Sequence, residues 1–95
     1  MSDAELPGAD LVARGMRDLE GGVMSIEALL VCIGEPRLRA VGVRVPAHEP
    51  LLPSPELRLY ALLEKAHGDD AHSQYNALLR RLISYEHALE AKGSR

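Results

Sequence analysis

Four side chains that could bind a metal ion lie close together in the segment EKAHGDDAHSQY, residues 64–75: His67, Asp69, Asp70 and His72. Imidazole nitrogens and carboxylate oxygens are ligands for zinc, which takes three or four ligands around one point. A metal-binding protein that uses the 67–72 segment, with His67, Asp69 and His72 as ligands, is therefore one interpretation. The spacing matches no specific metal-binding motif.

The same segment also has the residues that a junction between two helices requires. Gly68 suits the left-handed residue that follows the end of a helix, and His67 in the last turn suits the negative end of the helix dipole. Asp69 or Asp70 can cap the helix that follows. We favour this interpretation, because it accounts for these residues without a metal, and we predict no metal and no cofactor.

Cys32 is the single cysteine of the chain, and a thiol paired with a histidine can act as a nucleophile. No histidine lies near it in sequence, and its apolar neighbours in IEALLVCI favour a buried, unreactive thiol. The sequence also lacks a glycine-rich phosphate loop, a nucleophile elbow and a dinucleotide-binding fingerprint. We therefore predict no catalytic residue and lean against an enzyme.

Three arginines, Arg37, Arg39 and Arg44, lie in the segment 25–45 after a predicted helix and a glycine turn. A helix, a turn and a short second helix have the outline of a helix-turn-helix, and arginine suits guanine edges and phosphates. A small DNA-binding regulator is therefore an alternative function. Against it, the second helix is short, and the net charge of −3 differs from the basic surface typical of nucleic-acid binding.

These residues must be positioned by helices, because the core is built from leucine, alanine, valine and isoleucine without Phe or Trp. We predict an all-α fold in a single domain, 1–95: a compact bundle of four main helices plus a short fifth, with loose termini at 1–9 and 92–95. A proline-rich connection at 46–55 links the two halves. The helices are expected at 10–20, from Ser25 to Gly34, at 36–41, at 55–67 and at 70–91.

The helix over 55–67 and the helix after Ser25 are both apolar around most of their circumference. A domain of this size can enclose one such helix but hardly two, so one face is expected to meet another chain. We therefore predict a protein–protein interaction or scaffold module, with a homodimer or a protein partner. Its interaction surface is expected on the last two helices and comprises Leu57, Tyr60, Leu63, Arg80 and Arg81.

The sequence also suggests a compartment. A lone cysteine cannot form an internal disulfide, and no N-terminal segment has the pattern of a signal peptide. No apolar run approaches the ~20 residues that a membrane-spanning helix needs. We expect a cytoplasmic protein without a membrane partner.

Overall fold

The computed structural model describes residues 6–93, and 75% of it is helical, with no strand in that range. The prediction of an all-α fold is confirmed. The four α-helices are α1 (Ala9–Glu20), α2 (Ile26–Ala40), α3 (Pro55–His67) and α4 (Ala71–Gly93).

The number of helices differs from the prediction of four main helices plus a short fifth. The helix expected at 36–41 is not separate, because it is the second half of α2. At the other junction, a single 3-10 turn, Gly68–Asp70, joins α3 directly to α4. The described chain therefore consists of three helical bodies: α1, α2 and the joined pair α3–α4.

α2 continues through Gly34, where the sequence predicts its end, and through Pro36, where the sequence predicts the start of a separate short helix. Pro36 has no N–H to donate to the carbonyl of Cys32, which weakens the helix at this point. Burial on both sides outweighs that loss, since Val31 and Leu38 are fully enclosed and each such side chain contributes about 2 kcal/mol of hydrophobic stabilisation. Gly34 marks a close contact with α4, where Leu82 packs against it, and not the end of a helix.

Several helix ends follow the sequence signals. The amide of Ala28 donates a hydrogen bond to the hydroxyl of Ser25 at 3.1 Å, and the amide of Leu57 donates to Ser54 at 3.2 Å. α3 has the predicted bounds, with proline at its first position. Gly68 follows it with a φ of 57°, in the left-handed region where glycine is favoured.

The beginning of α1 differs from expectation. Residues 1–5 and 94–95 of the predicted loose termini lie outside the described residues. Among the described residues, Gly8 and Ala9 are buried, α1 begins at Ala9, one residue before the predicted start, and Lys92 belongs to α4. The carboxylate of Asp10 accepts two hydrogen bonds from Arg81 of α4, at 3.0 and 3.2 Å.

α2 is the centre of the bundle and contacts each of the other three α-helices. The largest fully buried side chains come from α2 and α3 and are Leu29, Leu30, Val31, Leu38, Leu59 and Leu63. An irregular segment over 41–54 connects these two helices and contains most of the proline-rich connection. The radius of gyration is 13.2 Å, close to the roughly 12 Å of a compact chain of this length.

Candidate functional site

The outer surface of α3 and α4 carries a group of exposed apolar side chains. The rings of Tyr60 and Tyr75 meet there, with centroids 5.6 Å apart and planes tilted by 59°. Leu57 is 60% exposed and Ile83 is 44% exposed, while the two tyrosines and Leu79 are half-buried. We call these five residues the α3–α4 face.

The helical spacing places the five residues on one continuous surface. Leu57 lies three residues before Tyr60 on α3, and Leu79 and Ile83 lie four and eight residues after Tyr75 on α4. Residues three or four apart are neighbours on a helix surface. Because the 3-10 turn reverses the chain, both rows run in the same direction away from the tyrosine pair.

Charged side chains of opposite sign border this face. Glu56 and Glu64 are exposed on α3, and Arg80 is exposed on α4. Glu56 lies close enough to Tyr75 to act on it: burial, and then the charge of Glu56, raise the pKa of the Tyr75 phenol. Neither Arg80 nor Glu64 has an ion-pair partner within residues 6–93.

The predicted interaction surface is only partly assembled on this face. Leu57 and Tyr60 belong to it, and Arg80 borders it. Leu63 is only 1% exposed, and its assignment to a surface is wrong because it lies one turn after Leu59 on the core side of α3. Arg81 points towards α1, where it is bound to Asp10.

A second group of interacting side chains, which we call the His48 cluster, joins α2 to the 41–54 segment. Its members are Cys32, Glu35 and Arg39 of α2 together with His48. The Nε2 atom of His48 lies 2.7 Å from Oε1 of Glu35 and 3.6 Å from Sγ of Cys32. The guanidinium of Arg39 donates to Oε2 of Glu35 at 2.8 Å and to the carbonyl of Val45 at 3.0 Å.

His48 is favoured in its doubly protonated form by this geometry. Its Nδ1 atom lies 2.9 Å from the carbonyl oxygen of Glu49, so both ring nitrogens face acceptors. The bond to that carbonyl and then the bond to Glu35 raise the pKa of His48, against burial and the charge of Arg39. Burial would raise the pKa of Glu35, but hydrogen bonds from His48 and Arg39 outweigh it and lower that pKa.

The contact between Cys32 and His48 does not have the geometry of a nucleophile and its base. In such a pair, one ring nitrogen accepts the thiol proton while a carboxylate holds the other nitrogen. Here the thiol and the carboxylate of Glu35 share the same nitrogen. Burial, and next the charge of Glu35, raise the pKa of Cys32 to about 11, which keeps the thiol protonated.

No sequence pattern signals this contact, because 16 residues separate Cys32 from His48 and the chain between them is irregular after the turn at Val41 and Gly42 that follows α2. The one available signal was the spacing of Cys32, Glu35 and Arg39, which places three reactive or charged groups on neighbouring positions of one helix surface. It could not show which residue would fold back onto them.

The arginines of the DNA-binding alternative do not form a free basic patch. Arg37 binds Glu90 at 3.0 Å, and Arg39 belongs to the His48 cluster. Arg44 is exposed and has no ion pair in the described part of the chain. The helix-turn-helix outline over 25–45 is wrong, because residues 26–40 form one helix and no separate recognition helix exists there.

The candidate metal ligands at 67–72 also remain apart. The carboxylate of Asp70 accepts a hydrogen bond from the amide of Gln74 at 2.8 Å, and the ring of His72 lies 3.2 Å from the amide nitrogen of Asn76. His67 and Asp69 are exposed. Across residues 6–93 there is no group of three or more His, Cys, Asp or Glu side chains arranged to hold a metal ion.

No protein-family model matches the chain, and comparison with characterised proteins and with solved structures finds no significant similarity. None of the described helices combines the length and apolar character needed to cross a membrane. Inference about function therefore depends on the α3–α4 face and the His48 cluster.

Proposed function

We propose that this protein is a small cytoplasmic interaction module that forms a homodimer through the α3–α4 face. The observation that carries the proposal is the exposure of Leu57 and Ile83, which extend the surface in the same direction from the tyrosine pair. Apolar side chains that remain exposed on one continuous surface lose contact with water when a partner covers them. Tyrosine is also enriched at protein interfaces, since its ring packs while its hydroxyl stays hydrated.

Because the face is bordered by both acidic and basic side chains, a second copy of the chain complements it better than a partner whose charges are all of one sign. In a twofold dimer the same surface is used by both copies, so α3 of one protomer can lie against α4 of the other. That arrangement brings the acidic border of α3, Glu56 and Glu64, towards Arg80 of the partner copy. Opposite charges at the rim favour this pairing over a like-with-like arrangement of the two α3 helices.

The size of the face indicates a weak dimer. α3 has 13 residues and is therefore about 20 Å long, and two packed helices are roughly 20 Å wide. A face of this extent buries roughly 800 Å² over two copies, below the about 1,200–2,000 Å² of stable specific complexes and in the range of weak, transient ones. We expect dissociation constants in the micromolar range, so dimer formation should depend visibly on concentration.

Sedimentation velocity over about 10 to 500 µM protein tests the proposal, since the range covers micromolar dissociation constants. The native chain should shift from monomer to dimer. The double variant Leu57→Glu/Ile83→Glu should remain monomeric while keeping its far-UV circular dichroism spectrum. Leu52→Glu is the matched control, because Leu52 is even more exposed, at 79%, but belongs to the connecting segment and not to α3 or α4. A native chain that stays monomeric throughout, or an equal loss in the Leu52→Glu variant, would contradict the proposal.

A further inference from the structure

The middle of the connecting segment is attached to the rest of the protein by very few polar contacts. Prolines at 46, 50 and 53 have no N–H to donate. Among residues 46–53, every hydrogen bond found in the described structure involves the ring of His48. The apolar anchors that flank His48 along the chain are Val45, which is buried, and Leu51, which is half-buried.

We propose that His48 is a proton-operated clasp, which in its protonated form holds the connecting segment on α2 and covers Cys32, and which releases both when it loses its proton. This inference is independent of the α3–α4 face. It rests on the position of one imidazole ring between two acceptors, at the only point where this stretch is held by hydrogen bonds.

The number of protons on the ring decides whether the clasp can close. An imidazolium has two N–H groups, which satisfy the carbonyl of Glu49 and the carboxylate of Glu35 together. A neutral imidazole has one, so one nitrogen must present its lone pair to an oxygen that can only accept. Loss of the proton therefore turns one of these two hydrogen bonds into a repulsive contact between a lone pair and an acceptor oxygen, leaves the ring with a single N–H donor for the other, and ends the charge attraction to Glu35.

The other charged groups around the ring determine whether the pKa of His48 is raised or lowered, and therefore the pH at which the clasp opens. From α2, the carboxylate of Glu35 attracts the imidazolium, while Arg39 opposes it. The thiol of Cys32 is neutral, and Arg58 of α3 acts on that thiol and not on the ring. The net pKa of His48 is raised, so the clasp is fully closed below the ordinary histidine value of 6.5 and opens as the pH rises through the higher value of the folded protein.

Cys32 is the group whose accessibility should change. It is only 6% exposed, and the ring of His48 lies against its sulfur. A cleft of about 380 Å³ opens beside the ring, between Leu19 and Met24 on one side and Ala47 and Glu49 on the other. Water and small reagents can therefore reach the edge of the clasp, and displacement of His48 would open a path to the thiol.

The test uses Cys32 as its own reporter, because it is the only cysteine. A small aromatic disulfide that reacts with thiols is added to the full-length protein from about pH 5.5 to about pH 8.5, the range in which histidine titrates. The labelling rate is divided by the rate of the urea-denatured protein at the same pH. The thiol is mostly protonated in both states here, so the ratio cancels its ionisation and reports accessibility.

We expect the native ratio to rise several-fold with pH, with a midpoint that matches the titration of the His48 ring followed by NMR. His48→Gln carries no titratable ring and should give a ratio that does not change with pH. Glu35→Gln should move the midpoint to lower pH, because it removes the negative charge that favours the imidazolium. Circular dichroism of each variant confirms that it is folded.

A native ratio that is flat across this range would overturn the proposal, and that result does not depend on any variant. The same pH-dependent rise in the His48→Gln variant would also overturn it, since another group would then control access to the thiol. If both glutamine substitutions prevent folding, the native labelling profile and the His48 titration still decide, because a clasp requires their midpoints to agree.

Discussion

The carboxylate of Glu86 on α4 lies against the backbone of Gly34 on α2, so closely that a Cβ atom on Gly34 would be 2.9 Å from its Oε2 atom. Glu86 is only 3% exposed, which is rare for a carboxylate in a core made of leucine and valine. Burial raises the pKa of Glu86, and Glu90 adds to this, while Arg37 and His87 act in the opposite direction. The α2–α4 contact therefore contains a carboxylate that is costly to keep ionised.

Replacement of Glu86 by glutamine should stabilise the protein at neutral pH. The folded protein holds the Glu86 proton more tightly than the unfolded chain, whose value is 4.5. Its contribution to the free energy of unfolding is therefore largest at low pH and is lost as the pH rises through the raised value. Urea denaturation at pH 7 should show a gain of about 1 kcal/mol for Glu86→Gln, the scale of one poorly solvated polar group.

The gain should shrink as the pH is lowered towards the ordinary glutamate value, because both proteins then carry a neutral side chain at this position. Glu20→Gln is the matched control, since Glu20 is exposed at the end of α1, outside the α3–α4 face, and should leave stability unchanged within about 0.5 kcal/mol. A gain that stays constant from acid to neutral pH would mean that the carboxylate is not the cause.

Alanine substitutions should distinguish a glycine that packs against the backbone of another helix from one that packs against the ends of side chains. A Cβ on Gly15 would collide with the backbone carbonyl of Glu27 in α2 and lie 2.6 Å from a methyl group of Val31. Since backbone cannot move aside easily, we expect Gly15→Ala to lower the free energy of unfolding by about 2–3 kcal/mol. Gly34→Ala should cost less, because its nearest neighbours are the movable ends of Leu82 and Glu86.

Gly21→Ala provides the control for this series. Gly21 follows α1 with a φ of −83°, and the atoms nearest to an added Cβ are 3.6 Å away. Alanine can adopt this backbone, so chemical denaturation should find stability equal to or slightly above that of the native chain. An equal loss in all three variants would show that helix contact is not what selects glycine at position 15.

The parts of the fold that were predictable are those with local causes. Ser54 and Pro55 define the start of α3 through a cap and a fixed φ, and Gly68 ends it through its left-handed backbone. The parts that were not predictable depend on contacts between distant residues. Gly34 has the local character of a helix end, and only the approach of α4 shows that it is a packing position.

The residues of the candidate sites also divide into those predictable from local patterns and those that depend on contacts between distant residues. Helical spacing was enough to place Leu57 and Tyr60 on α3, but not to decide that Leu63 faces the core, because all three lie on a helix that is apolar almost all round. The partner of Cys32 could not be predicted either, since it comes from an irregular segment without periodicity. Local patterns identify helices, whereas the packing of all the helices together determines which apolar face stays exposed.

Reversal of the charge on Arg80 should weaken self-association. Arg80 borders the α3–α4 face and has no ion pair within residues 6–93, so it is available to the acidic border of a second copy. We expect Arg80→Glu to raise the dissociation constant by about five- to tenfold at low salt, equivalent to about 1 kcal/mol. The effect should decrease as salt screens the pair.

Arg44→Glu makes the same change of charge at another exposed arginine, outside the α3–α4 face. Sedimentation of both variants at matched ionic strength separates a local contact from an effect of net charge. If the two substitutions weaken dimerisation equally, the charged border is not part of the interface and the orientation of the two copies must be different.

Arg37 should influence stability through two different carboxylates. It binds Glu90 at 3.0 Å and lowers the pKa of the buried Glu86 through its charge. Arg37→Gln should therefore raise the pKa of Glu86 further and destabilise the protein more at neutral pH than near the ordinary glutamate value of 4.5. The exposed pair with Glu90 alone contributes about 0–1 kcal/mol.

A double-mutant cycle separates these two contributions. In the Glu86→Gln background, Arg37→Gln should cost only the small, salt-dependent loss of the pair with Glu90, because no buried charge remains to be compensated. The difference between the two backgrounds, measured by urea denaturation at neutral pH, is the coupling of Arg37 to Glu86. An additive cycle would mean that Arg37 acts only on Glu90. In that case the raised pKa of Glu86 would be set by its burial between α2 and α4, and Arg37→Gln would leave it unchanged.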